Sequence, residues 1–266
     1  MRKERYRKIA ATFCAATAMC VLVAGCSAST ERANYQPGEI HDPYEDFNRT
    51  MFDVHNAVDQ AVLEPAARGY RAITPKLVRD GVTNILRNLR SPVNMANNLL
   101  QGNIEGAAGD LSRAVINTSF GLGGFLDIAA DTGLEYKQND FGQTLAVWGV
   151  DHGPYLFIPV WGPSSARDLT GLAVDSFADP LRLYLFNTDR EIWHYGRMAA
   201  TGIDTRESLL DALDDLRRNS FDYYAAVRSA YYQRRQAMIN ANRPAGRAAA
   251  QASSYEGYPD YDEWDW

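Results

Sequence analysis

The sequence predicts an all-α fold. Three observations point there. Apolar residues recur at helical intervals through residues 44–242, proline preceded by Asp, Thr or Ser punctuates those runs, and a single short stretch at residues 155–160 has strand character. Asp42-Pro43-Tyr44-Glu45 has the layout of a helix start, with an N-cap residue, proline at the first helical position and an acid at the third. Phe47, Met51, Val54 and Val58 then share one face. Thr74-Pro75 restarts the pattern with Leu77, Val78, Val82, Ile85, Leu86 and Leu89, and Ser91-Pro92 is expected to restart it again through Asn98. Ile104, Ala107, Ala108, Leu111, Val115 and Ile116 make the next stripe. Further helices are expected near residues 140–148, 165–177, 188–217 and 221–240. Pro159 argues against a central strand at residues 155–160, because proline has no N–H for a ladder.

The N-terminus is a separate unit. Arg2, Lys3, Arg5, Arg7 and Lys8 oppose one acid, Glu4, and residues 9–23 follow without a charge. That run is shorter than the ~20 residues a membrane-crossing helix needs, so it reads as a removable secretory signal. It ends in Val23-Ala24-Gly25-Cys26, which resembles the lipobox of bacterial lipoprotein precursors. The resemblance implies cleavage before Cys26, a diacylglycerol on its sulfur and an N-acyl chain on its amine, with no other cofactor. Ser27 at the following position, where an aspartate favours inner-membrane retention, points to the outer membrane.

The organisation follows: a signal peptide over residues 1–25, a lipidated tether over 26–41, a helical domain over 42–242, and an acidic-aromatic tail over 243–266 that is expected to be disordered. Cys14 and Cys20 leave with the signal. With Cys26 lipidated, the mature chain has no thiol for a disulfide, a metal or catalysis. The formal charge of the whole chain is -6, and the signal removes five basic residues against a single acid. So acidic a chain is not expected to bind nucleic acid through its phosphates.

Catalytic constellations are sparse. His41, His55, His152 and His194 stand far apart, without the i, i+4 spacing of a helical zinc site. Ser119 lacks the preceding glycine of a nucleophile elbow, and residues 121–126 follow a helix rather than the strand a dinucleotide fingerprint needs. Asp151-His152 and Arg167-Asp168 offer acid–base groups but no nucleophile. The chain is therefore read as non-enzymatic. Gly121, Gly123, Gly124 and Gly133 bracket an apolar insert containing Phe125, Leu126 and Ile128. Two readings fit it: a helix stop followed by a short core helix, or a mobile apolar flap beside a lipid path. Two readings likewise fit the many short segments with aromatic ends, a helical globule with a generous core or a body lying at a water–lipid interface.

Several motifs resemble, in order, those of the MlaA/VacJ outer-membrane lipoproteins. They are the stretch from Asp42 through Phe47, Asn48 and Arg49 to Met51, the run Phe120-Gly121-Leu122-Gly123-Gly124-Phe125-Leu126-Asp127, and Phe141-Gly142-Gln143-Thr144-Leu145. Gly153-Pro154-Tyr155, Gly162-Pro163-Ser164-Ser165, Ile203-Asp204-Thr205-Arg206 and Tyr231-Tyr232-Gln233-Arg234-Arg235 complete the set. The resemblance implies a ring of short amphipathic helices embedded in the outer membrane from its periplasmic side, around a central amphipathic channel. It implies phospholipid transport that maintains lipid asymmetry. Misplaced phospholipid would leave the outer leaflet, pass to a periplasmic lipid carrier and return to the inner membrane. Trimeric porins are the implied membrane partners. Phe47, Asn48 and Arg49 fall on the family's first-helix signature, and the insert at residues 121–133 falls on its apolar loop near the channel. The alternative is a structural lipoprotein that docks on porins or the cell wall without moving lipid. The tail lies outside the family pattern.

Overall fold

The computed structural model describes residues 42–248. The signal peptide, the tether with Cys26, and the tail from residue 249 onward lie outside the described residues. Helix α1 (Glu45–Val58) runs through a π-helical turn (Asp59–Leu63) into α2 (Glu64–Ile73). Pro75 sets the extended entry to α3 (Lys76–Leu100), and the short turn Gln101-Gly102-Asn103 reverses the chain into α4 (Ile104–Ser119). The Asn103 side chain caps α4 by accepting from the Gly106 N–H. A glycine-rich loop and the single turn α5 (Ile128–Asp131) lead to α6 (Phe141–Val147). Strands β1 (Tyr155–Ile158) and β2 (Gly162–Ser165) form an antiparallel hairpin in which Tyr155 pairs with Ser165 and Ile158 with Gly162. Then follow α7 (Ala166–Ala178), α8 (Pro180–Asn187), α9 (Glu191–Ser208), α10 (Leu210–Asn219) and α11 (Tyr223–Asn242).

The fold is helical as the periodicity predicts, with four differences in detail. Asp42 is not an N-cap: α1 starts at Glu45 with no side-chain cap. The Asp42 carboxylate instead accepts from Asn48, Tyr224 and Arg228, tying the start of the domain to α11. Pro92 does not restart a helix but lies inside the 25-residue α3. The Ser91 hydroxyl donates to the Arg87 carbonyl there, and packing of α4 along α3 offsets the ladder bond that proline cannot make. Between residues 178 and 219 the chain forms three helices rather than one, because Asp179-Pro180 starts α8 and Leu209 marks a bend whose neighbour Leu210 is fully buried. Finally, residues 162–165 pair with residues 155–158, and Pro159 sits in the turn of the hairpin, where no ladder bond is required of it.

Two interiors stabilise the domain. Around the hairpin, Phe52, Tyr155, Phe157 and Tyr224 form a buried aromatic cluster, with Met51, Tyr223, Val227, Tyr231 and Tyr232 packed on it. Phe52 meets Phe157 edge-on at 5.1 Å and Tyr224 at 5.5 Å between ring centroids. The second interior lies among α3, α6, α7 and the end of α11, and it is made of amides, hydroxyls and carboxylates. Here α6 and α7 cross backbone to backbone: a Cβ on Gly171 would lie 2.2 Å from the Gly142 nitrogen.

Candidate functional site

The amide interior is a connected network. The Thr144 hydroxyl donates to Asn97 Oδ1 at 2.8 Å and accepts from Gln101 Nε2 at 2.9 Å. Asn97 Nδ2 donates to Asp175 at 2.9 Å, and Gln101 Nε2 also donates to Asn139 Oδ1 at 2.8 Å. Asn242, the last residue of α11, donates to both Asn139 and Gln143. Asn94, Asn97, Asn139, Gln143 and Thr144 are all buried. Because each finds a partner, the desolvation cost of their burial is offset. The sequence carried the signal: Asn94, Asn97, Asn98 and Gln101 repeat at intervals of three and one, a polar stripe on the helix opposite its leucines. Sequence reasoning that followed only apolar stripes passed over it.

Much of the apolar stripes faces outward, although Ala107 is buried and Met51 packs on the aromatic cluster. On α4 the buried positions are Ala107, Asp110, Arg113 and Asn117, while Ile104, Leu111 and Val115 are exposed. On α1 the buried positions are Asn48 and Phe52, while Phe47 and Val54 are exposed. Ile73, Leu77, Ile192 and Trp193 extend the exposed apolar surface along other helices. This is the reverse of the distribution expected for a helix bathed in water on its outer face. Exposed apolar area on this scale marks a surface made to meet something apolar. Among the described residues, no helix is long and apolar enough to cross a membrane.

Carboxylates inside the domain divide into two electrostatic types. Burial would raise the Asp140 carboxyl, but the Arg235 guanidinium at 2.7 Å, with Gln143, brings it down to about 2. Burial prevails at Asp110, which rises to about 6 against the hydrogen bond from Asn98 and the charge of Arg113. Burial likewise raises Asp175 and Asp204, whose hydrogen-bond donors include the neutral Asn97 and Thr83. Asp168 accepts from Arg167 and Tyr231 and pairs with Arg235 at 2.7 Å, so it ties α7 to α11 rather than standing free as a base. Among the described residues, no group of His, Cys, Asp and Glu has the makings of a metal site.

The residues singled out in the first helix do different jobs. Asn48 is fully buried and ties α1 to β1: its Nδ2 donates to the Tyr155 carbonyl at 3.0 Å and its Oδ1 accepts from the Phe157 N–H at 2.9 Å. Arg49 pairs with Asp222 and Glu45 and lies 4.5 Å over the Tyr224 ring. Phe47 points outward.

The glycine segment is a compact turn docked on α3. Gly123 and Gly124 take φ of 73° and 98°, a region other residues rarely adopt. The Gly121 carbonyl accepts from the Leu126 N–H at 2.9 Å, and Gly133 closes α5 with φ 84°. Phe125, Leu126 and Ile128 are half-buried, and the Phe125 ring fills the space over Gly81, where a Cβ would come within 2.1 Å of it. Asn84 donates to the Phe125 carbonyl, while Arg113 and Asn117 donate to Asp127. The apolar side chains most exposed here are Phe120 and Leu122, at 74% and 75%.

Comparison with known proteins places this architecture. The family model described as MlaA lipoprotein matches residues 40–238. The intermembrane phospholipid transport system lipoprotein MlaA of Haemophilus influenzae is 36% identical over 224 residues, covering 83% of this chain and 87% of that protein. The protein of the same name in Escherichia coli K12 is 35% identical over 223 residues, covering 82% of this chain and 85% of its own. A solved structure described as the structural basis for maintenance of bacterial outer membrane lipid asymmetry superposes with a TM-score of 0.66 at 37% identity, over 75% of this chain and 99% of that chain. With the match running from before the first helix almost to the end of α11, this chain belongs to the MlaA lipoprotein family.

Proposed function

We propose that this protein is the outer-membrane lipoprotein of an intermembrane phospholipid transport system and helps maintain outer-membrane lipid asymmetry. Its relatives carry that transport role in their names. The observation that carries the reading on this chain is the inversion of α4, with Ile104, Leu111 and Val115 exposed and Asp110, Arg113 and Asn117 buried, together with Phe47 and Val54 exposed on α1. An apolar exterior is solvated by acyl chains, and backbone groups satisfied inside helices tolerate that surrounding. Helices that do not span alone can then lie as a ring in the membrane, anchored by the acyl chains on Cys26. A passage apolar on one side and polar on the other moves acyl chain and headgroup together. No bond is made or broken, so the protein acts without catalysis.

In this reading phospholipid misplaced in the outer leaflet enters through the ring and passes to a periplasmic lipid carrier for return to the inner membrane. Trimeric porins hold the ring in place. The segment with Gly121, Gly123, Gly124 and Gly133 controls the passage through Phe125, Leu126 and Ile128, and Phe125→Ala, which empties the space over Gly81, should change lipid flux. The decisive measurement is surface-exposed phospholipid in cells lacking this protein. An increase that the wild-type gene reverses supports transport; unchanged outer-leaflet phospholipid assigns the chain to structural docking instead. Incubation with phospholipid should release no fatty acid.

A further inference from the structure

The corner where α7, α8 and α9 meet holds a cation that no carboxylate among the described residues answers. The Arg182 guanidinium lies 4.6 Å from the centroid of the Phe177 ring and 4.8 Å from that of Phe186. Among the described residues, no acid comes within the 4.0 Å of an ion pair with Arg182. The carboxylate at the start of the same helix, Asp179, is taken by Arg197 and by the Leu181 N–H. The Arg182 charge is felt by buried His194, which meets Phe186 and Tyr195 edge-on and whose proton affinity is lowered by burial, then by Arg197 and Arg182. On α8 and α9, close to Arg182 in the chain, the large exposed side chains are Leu183, Tyr184, Ile192, Trp193 and Tyr195.

Each part of this arrangement narrows the occupant. Two rings lie within cation–π range of the guanidinium, an interaction that leaves its N–H donors available. Those donors match two oxygens of a phosphate or carboxylate. The protein as a whole is acidic, formally -6, so it draws in no general cloud of anions. A free ion or a nucleic acid gains nothing from the surrounding Leu, Ile, Trp and Tyr. A phosphate joined to acyl chains matches both the cation and its apolar rim, the composition that aromatic side chains adopt at a lipid–water boundary.

We propose that this corner binds the phosphodiester of a glycerophospholipid, with Arg182 clamped by Phe177 and Phe186 as its charge partner. The proposal rests on the phospholipid reading of the family and adds to it a headgroup site. It sets the depth at which α8 and α9 sit against the lipid.

The test uses the full lipoprotein in detergent and a phosphatidylethanolamine carrying a dansyl group on its amine. Energy transfer from Trp193, taken as the difference from Trp193→Phe, reports lipid at this corner. Arg182→Gln should raise the lipid concentration needed for half-maximal transfer about tenfold, as expected for loss of a charge-assisted hydrogen bond. Arg182→Lys, which keeps the charge without the flat fork, should fall between. Phosphatidylglycerol should displace the probe, whereas diacylglycerol and millimolar inorganic phosphate should not. Superimposable wild-type, Gln and Lys titrations overturn the proposal, as does displacement by diacylglycerol or by inorganic phosphate alone. Should Arg182→Gln lose its helical circular dichroism, the Lys titration decides by itself. Failure of the wild type to bind any phospholipid at all would instead strike at the transport reading.

Discussion

The two interiors of this domain are built on opposite rules. Around the hairpin, Phe52, Phe157 and Tyr224 exclude water by packing rings, as in a protein that folds in the aqueous phase. Among α3, α6 and α7, Asn97, Gln101 and Thr144 are buried by satisfying one another. Ring packing draws its strength from the contrast between ring and water. Where the outside of a helix is itself apolar that contrast disappears, and side-chain hydrogen bonds across the interface hold the helices together. The difference is one of chemistry, rings packed on rings in one interior and amides and hydroxyls satisfying one another in the other.

Four measurements sharpen or break that contrast. Phe52→Ala should have the largest effect, a destabilisation of about 3–5 kcal/mol from the lost ring and the cavity behind it. Thermal unfolding should show the loss in any detergent, and a shift confined to apolar-rich detergents would mean the cluster is not water-driven. Asn48→Ala removes the partners of the Tyr155 carbonyl and the Phe157 N–H together, and a loss of about 3 kcal/mol is expected from two orphaned backbone groups. Hydrogen exchange at Phe157 should accelerate in step, and an unchanged rate would relocate the clamp.

Asp110→Asn should stabilise the protein, by about 3 kcal/mol at neutral pH. Burial lifts the Asp110 carboxyl to about 6 in the folded state, above its ordinary 3.8. The folded protein therefore holds a proton that the unfolded chain has released, and stability falls as pH rises from about 4 to about 6. The Asn variant should flatten that part of the stability profile, while a parallel curve would mean Asp110 titrates normally. Leu122→Ser should be the smallest in stability terms, below about 0.5 kcal/mol, since the side chain is exposed. It should nonetheless weaken association with phospholipid vesicles, and equal association would remove Leu122 from the lipid-facing surface.

Much of this was legible in the sequence. Helix positions followed from apolar periodicity, and the family motifs fell where the structure gathers its most constrained residues: Asn48, Gly142, Gln143 and Arg235. The direction of the faces was not legible. A stripe such as Ile104, Leu111 and Val115 states that a helix has two sides, and nothing in its period says which side is inside. Asp42 was misread because Asp-Pro is a frequent helix start, whereas the competing demand came from Arg228, 186 residues away. Pro92 was misread because the rule against helical proline concerns an isolated helix, and α4 packs along α3 here. The second strand has little β character of its own: Gly162 and Pro163 are placed there by pairing with Phe157 and Ile158.

The meeting of Gly142 and Gly171 has a mechanical consequence. With 2.2 Å between the nitrogen of one and the place where the other would carry a side chain, the crossing of α6 and α7 has no room for any side chain at Gly171. Side-chain joints yield by changing rotamer, and a joint of two main chains has no such freedom. Changes of backbone angle are easier at the bend at Leu209 and the turn at Gly123-Gly124 than at this crossing. Gly171→Ala should therefore alter the shape of the whole domain rather than its local stability alone, a change that small-angle scattering would read as a different radius of gyration.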